Sequence, residues 1–281
     1  MAGIRDRFAA LVGPDHPVDL ARAALEIARI AYPQLEPEAW LQSLDDLAAA
    51  ARRHLPEGNL EQRATALARF LFEDCGFRGN QDDYYDPRNS FLNDVLTRRV
   101  GIPISLAVVM MEVGRRVGVP LEGVGFPGHF LVRVPSTGEP ILLDPFHGGT
   151  RLRDDDLLAR LHSLAQSSGR SGPRFAEVPS EFVEPTSLRA ILARMLRNLL
   201  RIYQERDEHL AALHAVDLLL VLTPRSPDDI RTRGTLYEAL ECPAAAADDF
   251  RRYLEIAPDA DDADDVRGRL ARLADQEPTL H

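Results

Sequence analysis

His129, in Gly125-Phe126-Pro127-Gly128-His129, and Asp144, in Leu142-Leu143-Asp144-Pro145-Phe146, are the residue types in this chain best suited to moving a proton. A carboxylate beside an imidazole fixes the ring's tautomer and supports it as a general base. Strand geometry can bring the two together. If residues 130–134 and 141–146 form a hairpin with Val134 opposite Ile141, Leu131 faces Asp144. The period of two then sets His129 and Asp144 on one face as diagonal neighbours, within side-chain reach. A slip of one residue would put them on opposite faces. Such a pair needs a nucleophile, best placed at a helix N-terminus, where the dipole lowers a thiol pKa. A helix is expected from about Ile104 to Arg116, and its first turn carries only a hydroxyl, Ser105. The ordinary role of a hydroxyl there is to cap backbone N–H groups.

Other side chains could line the same cleft. Tyr84-Tyr85-Asp86-Pro87-Arg88-Asn89 is a polar segment of the kind that borders sites, although Asp-Pro and Asn-Ser also favour plain turns. Asn93 follows on the next helix and Glu122 opens the first expected strand. Glu112 lies seven residues after Ser105 on the same helical face, and a buried pairing with Arg is its expected fate. Tyr84, Tyr85, Asn89, Asn93, Glu112 and Glu122 are thus the candidate cleft residues. On paper Glu122, His129, Asp144 and His147 could form a metal set, but no ligand pair was spaced as a helix or turn requires, so no metal is expected. No cofactor motif is present. Cys75 ends an apolar helical run and reads as a buried structural thiol, and Cys242 falls in a helical repeat where packing is expected.

The elements that must position these groups separate into three regions. Residues 18–74 carry apolar residues at helical spacing, with breaks at Tyr32-Pro33 and Pro56-Glu57-Gly58. Gly101-Ile102-Pro103 then breaks the chain before the helix striped by Leu106, Val109, Met110 and Val113, which ends at Gly118-Val119-Pro120. Short runs at 122–125, 130–134 and 141–146, bounded by Gly and Pro, read as strands. Residues 166–185, rich in Ser, Gly and Pro at their start, read as a linker. Beyond it the sequence repeats with a period of 34: Tyr203 and Tyr237, Ala212 and Ala246, Leu220 and Leu254, and Pro224 and Pro258, with Val216 matched by Phe250. That is the tetratricopeptide pattern of paired helices, over 186–281 with a capping helix at 264–274. The Asp-rich stretch 259–265 lacks the Gly and Glu of a calcium loop and reads as a solvated turn.

Composition excludes several functions. The 281 residues carry a net charge of −11, which argues against broad attraction to nucleic acid or an anionic membrane. All 33 basic residues are Arg, so no side-chain amine is available for Schiff-base chemistry. Two distant cysteines, no signal peptide and no span of membrane length point to a reducing cytoplasm.

Gly101-Ile102-Pro103-Ile104-Ser105-Leu106-Ala107, then Gly118-Val119-Pro120, His129 and Asp144-Pro145 resemble the transglutaminase-like core of the papain-like group. With Asn89-Ser90-Phe91-Leu92-Asn93 and the downstream repeats, the chain resembles the bacterial SirB-type family over about residues 18–275. The resemblance implies an α+β fold. A helical N-terminal part and a transglutaminase-like core with a small antiparallel sheet would occupy 1–165, followed by the all-α repeats. It also implies that the nucleophilic Cys position is Pro103, so the His–Asp half of a triad remains without its nucleophile. Two functions follow. The first is a non-catalytic, regulatory protein that binds a protein or peptide through repeats 186–275. The alternative is an amide or ester hydrolase or acyltransferase built on Ser105, His129 and Asp144, which requires Ser105 to reach His129.

Overall fold

The computed structural model describes residues 3–13, 17–136, 139–167 and 175–276. The chain divides into two compact units, one of Val18–Ala28 and Gln34–Met195, the other of Met1–Pro17, Arg29–Pro33 and Leu196–His281.

The first of these holds the sheet. Helices α1 (Ile4–Leu11), α2 (Leu20–Ala28), α3 (Pro37–Ala51), α4 (Leu60–Arg69) and α5 (Leu92–Arg98) come first in the chain, and all but α1 belong to this unit. α4 begins at a capping box: Asn59 Oδ1 accepts from Gln62 N and Gln62 Oε1 accepts from Asn59 N, so two otherwise orphaned donors are satisfied. Arg78–Gly79 (β1) and Val100–Gly101 (β2) form a two-residue parallel ladder that the sequence does not announce. α6, Pro103–Arg116, starts one residue before its expected first position, because a proline at N1 gives up an N–H that would be unpaired in any case. Its residues from Pro103 through Gly114 are all buried, so the single apolar stripe understates its environment. Helices α2, α3, α4 and α5 and the sheet all pack around it.

The sheet is antiparallel, in the order β3 (Glu122–Val124), β4 (Leu131–Val134), β5 (Ile141–Asp144), β6 (Thr150–Leu152). Val134 pairs with Ile141 and Val132 with Leu143, the register on which the His129–Asp144 juxtaposition depends. β6 is an additional strand, reached after a tight turn through Gly148 and Gly149. Both take positive φ (73° and 72°), and a Cβ on Gly149 would meet the Phe72 ring at 2.6 Å, so glycine is required there. α7, Asp154–Ser167, follows.

Of the stretch read as a linker, residues 168–174 lie outside the described residues. From Phe175 onward the chain is packed: Phe175, Val178, Phe182 and Val183 cover a cluster that includes Val124, Phe126, Leu131 and Leu161. Thr186 N then donates to Gly123 O (2.7 Å), and Gly125 N donates to Thr186 Oγ1 (2.9 Å), fastening this segment to β3.

The repeats are helices α8 (Leu188–Glu205), α9 (His209–Leu222), α10 (Pro227–Ala239) and α11 (Pro243–Ile256), closed by α12 (Ala263–Gln276). The 34-residue period reaches the backbone itself. Asp207 and Glu241, 34 apart, are both left-handed (φ 55° and 56°) in the turns inside the helix pairs. The amides one residue on, Glu208 N and Cys242 N, donate to the carbonyls of Tyr203 and Tyr237. Gly234 is the small residue that lets α10 approach α11, since a Cβ there would sit 2.8 Å from the Phe250 ring. Cys242 is exposed, contrary to its expected packing, because it caps α11 at a turn rather than lying on a packed face. Within the Asp-rich turn, Asp262 accepts from Tyr253 Oη and pairs with Arg231. α1 packs on α9 in this unit. No described helix is long and apolar enough to cross a membrane.

Candidate functional site

Asp144 is the centre of the site and is fully buried at the end of β5. Its Oδ1 lies 2.8 Å from His129 Nε2, and its Oδ2 lies 2.8 Å from His147 Nδ1. Arg160, reaching from α7, donates to Oδ2 at 2.5 Å. The backbone amides of Phe146 and His147 donate to Oδ1 (3.1 and 3.3 Å), because Pro145–His147 is a 3-10 turn for which Asp144 is the N-cap. Burial would raise the carboxyl pKa, but the His129 hydrogen bond and charge, the His147 hydrogen bond and the Arg160 charge outweigh it, holding the group well below the usual carboxylate range. An ionised carboxylate only accepts, so the ring nitrogens that face it carry their hydrogens.

His129 is tied down from its other side. Arg194 donates to His129 O (2.6 Å) and to Phe126 O (3.3 Å), and its guanidinium lies over the Phe130 ring. Burial pulls the Arg194 pKa down, opposed by neighbouring Tyr84. Phe146 stands edge-on to both imidazoles, at centroid distances of 6.0 Å to His129 and 5.1 Å to His147. Tyr84 in turn packs edge-on to Phe146 and to Tyr85, and both tyrosines are exposed. Tyr84 and Tyr85 are therefore brought to the rim of the His–Asp cluster.

Ser105 is bonded to other groups. Its hydroxyl is fully buried, donates to Asn89 O at 2.5 Å and accepts from Ile102 N at 3.1 Å. No hydrogen bond joins it to His129 among the described residues. A Cβ at Gly101 would come within 2.7 Å of this oxygen, which shows how closely the knot is packed. Asn89 is the other half of the knot. Its Nδ2 donates to Asp83 O and Tyr84 O, and its Oδ1 accepts from Asn80 Nδ2, so it shapes the loop that presents the tyrosines. Asn93 is buried with its Oδ1 unpartnered. Glu112 is buried in ion pairs with Arg115 (3.1 Å) and Arg116 (2.5 Å), the latter also held by Asp45 on α3, which is the Arg pairing expected for it. Glu122 sits opposite Arg133 across β3 and β4, with its carboxylate 3.7 Å from the guanidinium. None of these three touches Asp144.

Of the other two members of the cluster, the sequence names His147 only in a paper metal set with Glu122, which the structure leaves apart from the cluster, and does not single out Arg160. His147 had a signal available, since Asp144-Pro145-Phe146-His147 is a single turn that brings residues three apart together. Arg160 had none, because its approach depends on how α7 packs.

Two family models match the chain. One, described as transglutaminase-like superfamily, covers residues 38–197, and a tetratricopeptide repeat model covers 199–271. The chain belongs to the transglutaminase-like superfamily. A UPF0162 protein of Xylella fastidiosa is 38% identical over 95% of this chain and 94% of its own length. Another, from Pseudomonas aeruginosa, is 36% identical over 92% of each chain. Protein SirB1 of Salmonella typhimurium is 29% identical over 79% of each. In the transglutaminase-like arrangement read from the sequence, the residue at the nucleophile's position is Pro103, which here is the buried N1 residue of α6.

Proposed function

We propose that this protein is a non-catalytic, regulatory member of the transglutaminase-like superfamily that works in the cytoplasm and binds a protein or peptide partner through its tetratricopeptide repeats. What carries the reading is the Ser105 hydroxyl, enclosed and donating to Asn89 O. With Pro103 at the helix start and the Ser105 hydroxyl bonded to Asn89 O, the first turn of α6 supplies the His129–Asp144 pair with no nucleophile. A general base without a nucleophile can still bind, and Tyr84 and Tyr85 offer exposed aromatic surface at its rim. Tetratricopeptide arrays build extended surfaces suited to segments of other proteins. The net charge of −11 favours partners with basic or amphipathic segments over nucleic acid or anionic lipid.

The test pairs turnover with binding. Purified protein is offered p-nitrophenyl esters, peptide amides, and a glutamine peptide with a primary amine, and is separately titrated with a panel of basic amphipathic peptides by fluorescence anisotropy. The reading expects no turnover above buffer and saturable binding that repeat-surface substitutions weaken without unfolding the chain. Ester or amide turnover that disappears in folded Ser105→Ala and His129→Ala variants would overturn it in favour of the serine hydrolase.

A further inference from the structure

The cluster around Asp144 holds more than a His–Asp pair needs. Two imidazoles flank one carboxylate, and the donor atoms of His129, Asp144 and His147 all lie within 4.8 Å of one another. We infer that these three residues form a site for one divalent first-row transition-metal ion, which displaces the Arg160 guanidinium from Asp144. The inference goes beyond the binding reading and stands or falls apart from it.

The donor chemistry is apt, because two imidazoles and one carboxylate suit zinc, cobalt, nickel and iron rather than calcium or magnesium. The spacing is apt too. His129 Nε2 and His147 Nδ1 each lie 2.8 Å from an Asp144 oxygen. Adjacent ligands about 2.0–2.1 Å from a six-coordinate ion are themselves about 2.9 Å apart, so each nitrogen already stands at ligand spacing from a carboxylate oxygen, and the two imidazoles must draw in around the ion. The nitrogens that now donate to Asp144 would have to present lone pairs. A neutral imidazole does so by carrying its hydrogen on the other ring nitrogen, with no proton lost overall.

The donors are also held in place. Arg194 fixes the His129 carbonyl, two backbone amides fix Asp144 Oδ1, and the Phe146 ring braces both imidazoles. His147 leaves 45% of its side chain in solvent, which gives an ion a way in and leaves coordination positions for water.

Arg160 is the competitor. Its Nη2 lies 2.5 Å from Asp144 Oδ2 and 3.5 Å from His147 Nδ1, so the guanidinium and the metal claim the same negative charge. With 30% of its side chain exposed, Arg160 can turn outward and keep its charge in water. This sets opposite expectations for neighbouring residues, which an accidental surface chelate would not share.

The experiment uses the full chain without an affinity tag, stripped with a chelator and dialysed. It is titrated with Zn²⁺ by calorimetry and with Co²⁺ by visible absorption. One ion per chain is expected, with a Co²⁺ d–d spectrum showing nitrogen ligation. His129→Ala and His147→Ala should each weaken binding at least tenfold, Arg160→Ala should tighten it at least tenfold, and His54→Ala, at a histidine that pairs with Asp74 outside the cluster, should leave it unchanged. Circular dichroism verifies the fold of each variant. Should His129→Ala unfold, the partly exposed His147 and Arg160 decide the matter. No saturable binding up to about 1 mM metal, binding that survives His147→Ala, or an Arg160→Ala variant that binds no tighter would each overturn the inference.

Discussion

Ser105→Ala removes one oxygen from a place that water does not reach. The hydroxyl donates to Asn89 O at 2.5 Å and accepts from Ile102 N at 3.1 Å, linking the start of α6 to a residue sixteen positions earlier. Ile102 N also lies 3.4 Å from Asn89 O, so its amide keeps one long contact when the oxygen goes. The Asn89 carbonyl loses its short donor in a buried setting. A lost hydrogen bond of this kind costs about 1–2 kcal/mol, and losing the contact at the helix N-terminus adds about 1 kcal/mol. The better helix propensity of alanine returns about 0.5 kcal/mol. The net is about 2 kcal/mol, which for a folding unit of about 150–250 residues lowers Tm by roughly 4–8 °C. Differential scanning calorimetry with urea titration measures it. Peptide binding should persist wherever the variant is still folded. A Tm unchanged within about 1 °C, with loss of an ester or amide hydrolysis that the wild type performs, would refute this reasoning and make Ser105 a reacting group.

Gly234→Ala should destabilise the repeat unit by about 1–2 kcal/mol, because overpacking against Phe250 exceeds the helix-propensity gain; equilibrium denaturation that shows stabilisation would contradict the close approach of α10 and α11. Arg233→Leu should cost about 3 kcal/mol, since Arg233 bridges Asp249 (2.7 Å) and Asp217 (2.9 Å) and its loss leaves a buried carboxylate uncompensated. Chemical denaturation detects it, and Arg233→Lys should recover only part of the loss. Burial pushes the Asp86 pKa up, but hydrogen bonds and charge from Arg88, with charge from Arg98, leave it below the usual value. Its contribution is therefore complete above the unfolded pKa of about 3.9 and is lost as pH falls through the folded value. Asp86→Asn should be less stable than wild type at neutral pH, with the gap closing in acid; a gap that widens on acidification would contradict the assignment.

Local periodicity made much of this protein readable before folding. The 34-residue repeat needs only recurring small and bulky residues to define its helices, and even the left-handed turn positions, Asp207 and Glu241, keep that offset. The β4–β5 register supposed from the sequence, Val134 opposite Ile141, is the one found, although β5 is buried on both faces and its apolar run carries no alternation to fix it. That register is why His129 meets Asp144 as expected. The span of α6, to within one residue at its start, and the burial of Glu112 beside Arg likewise followed from residue type and spacing.

Other features depend on contacts between residues remote in sequence, for which no period exists. The parallel pairing of Arg78–Gly79 with Val100–Gly101 is too short to leave a pattern. The partner of Ser105 is a backbone carbonyl, and a carbonyl is the same group at every residue, so residue types could not name Asn89. Arg160 is one of 33 arginines in the chain, and only the packing of α7 brings its guanidinium to Asp144. Sequence thus determined most of the helices, the repeat and the meeting of His129 with Asp144. Tertiary packing alone decided that the serine hydroxyl is enclosed against the Asn89 carbonyl, and that an arginine from α7 completes the cluster, because burial and charge balance arise only when separate elements share one volume.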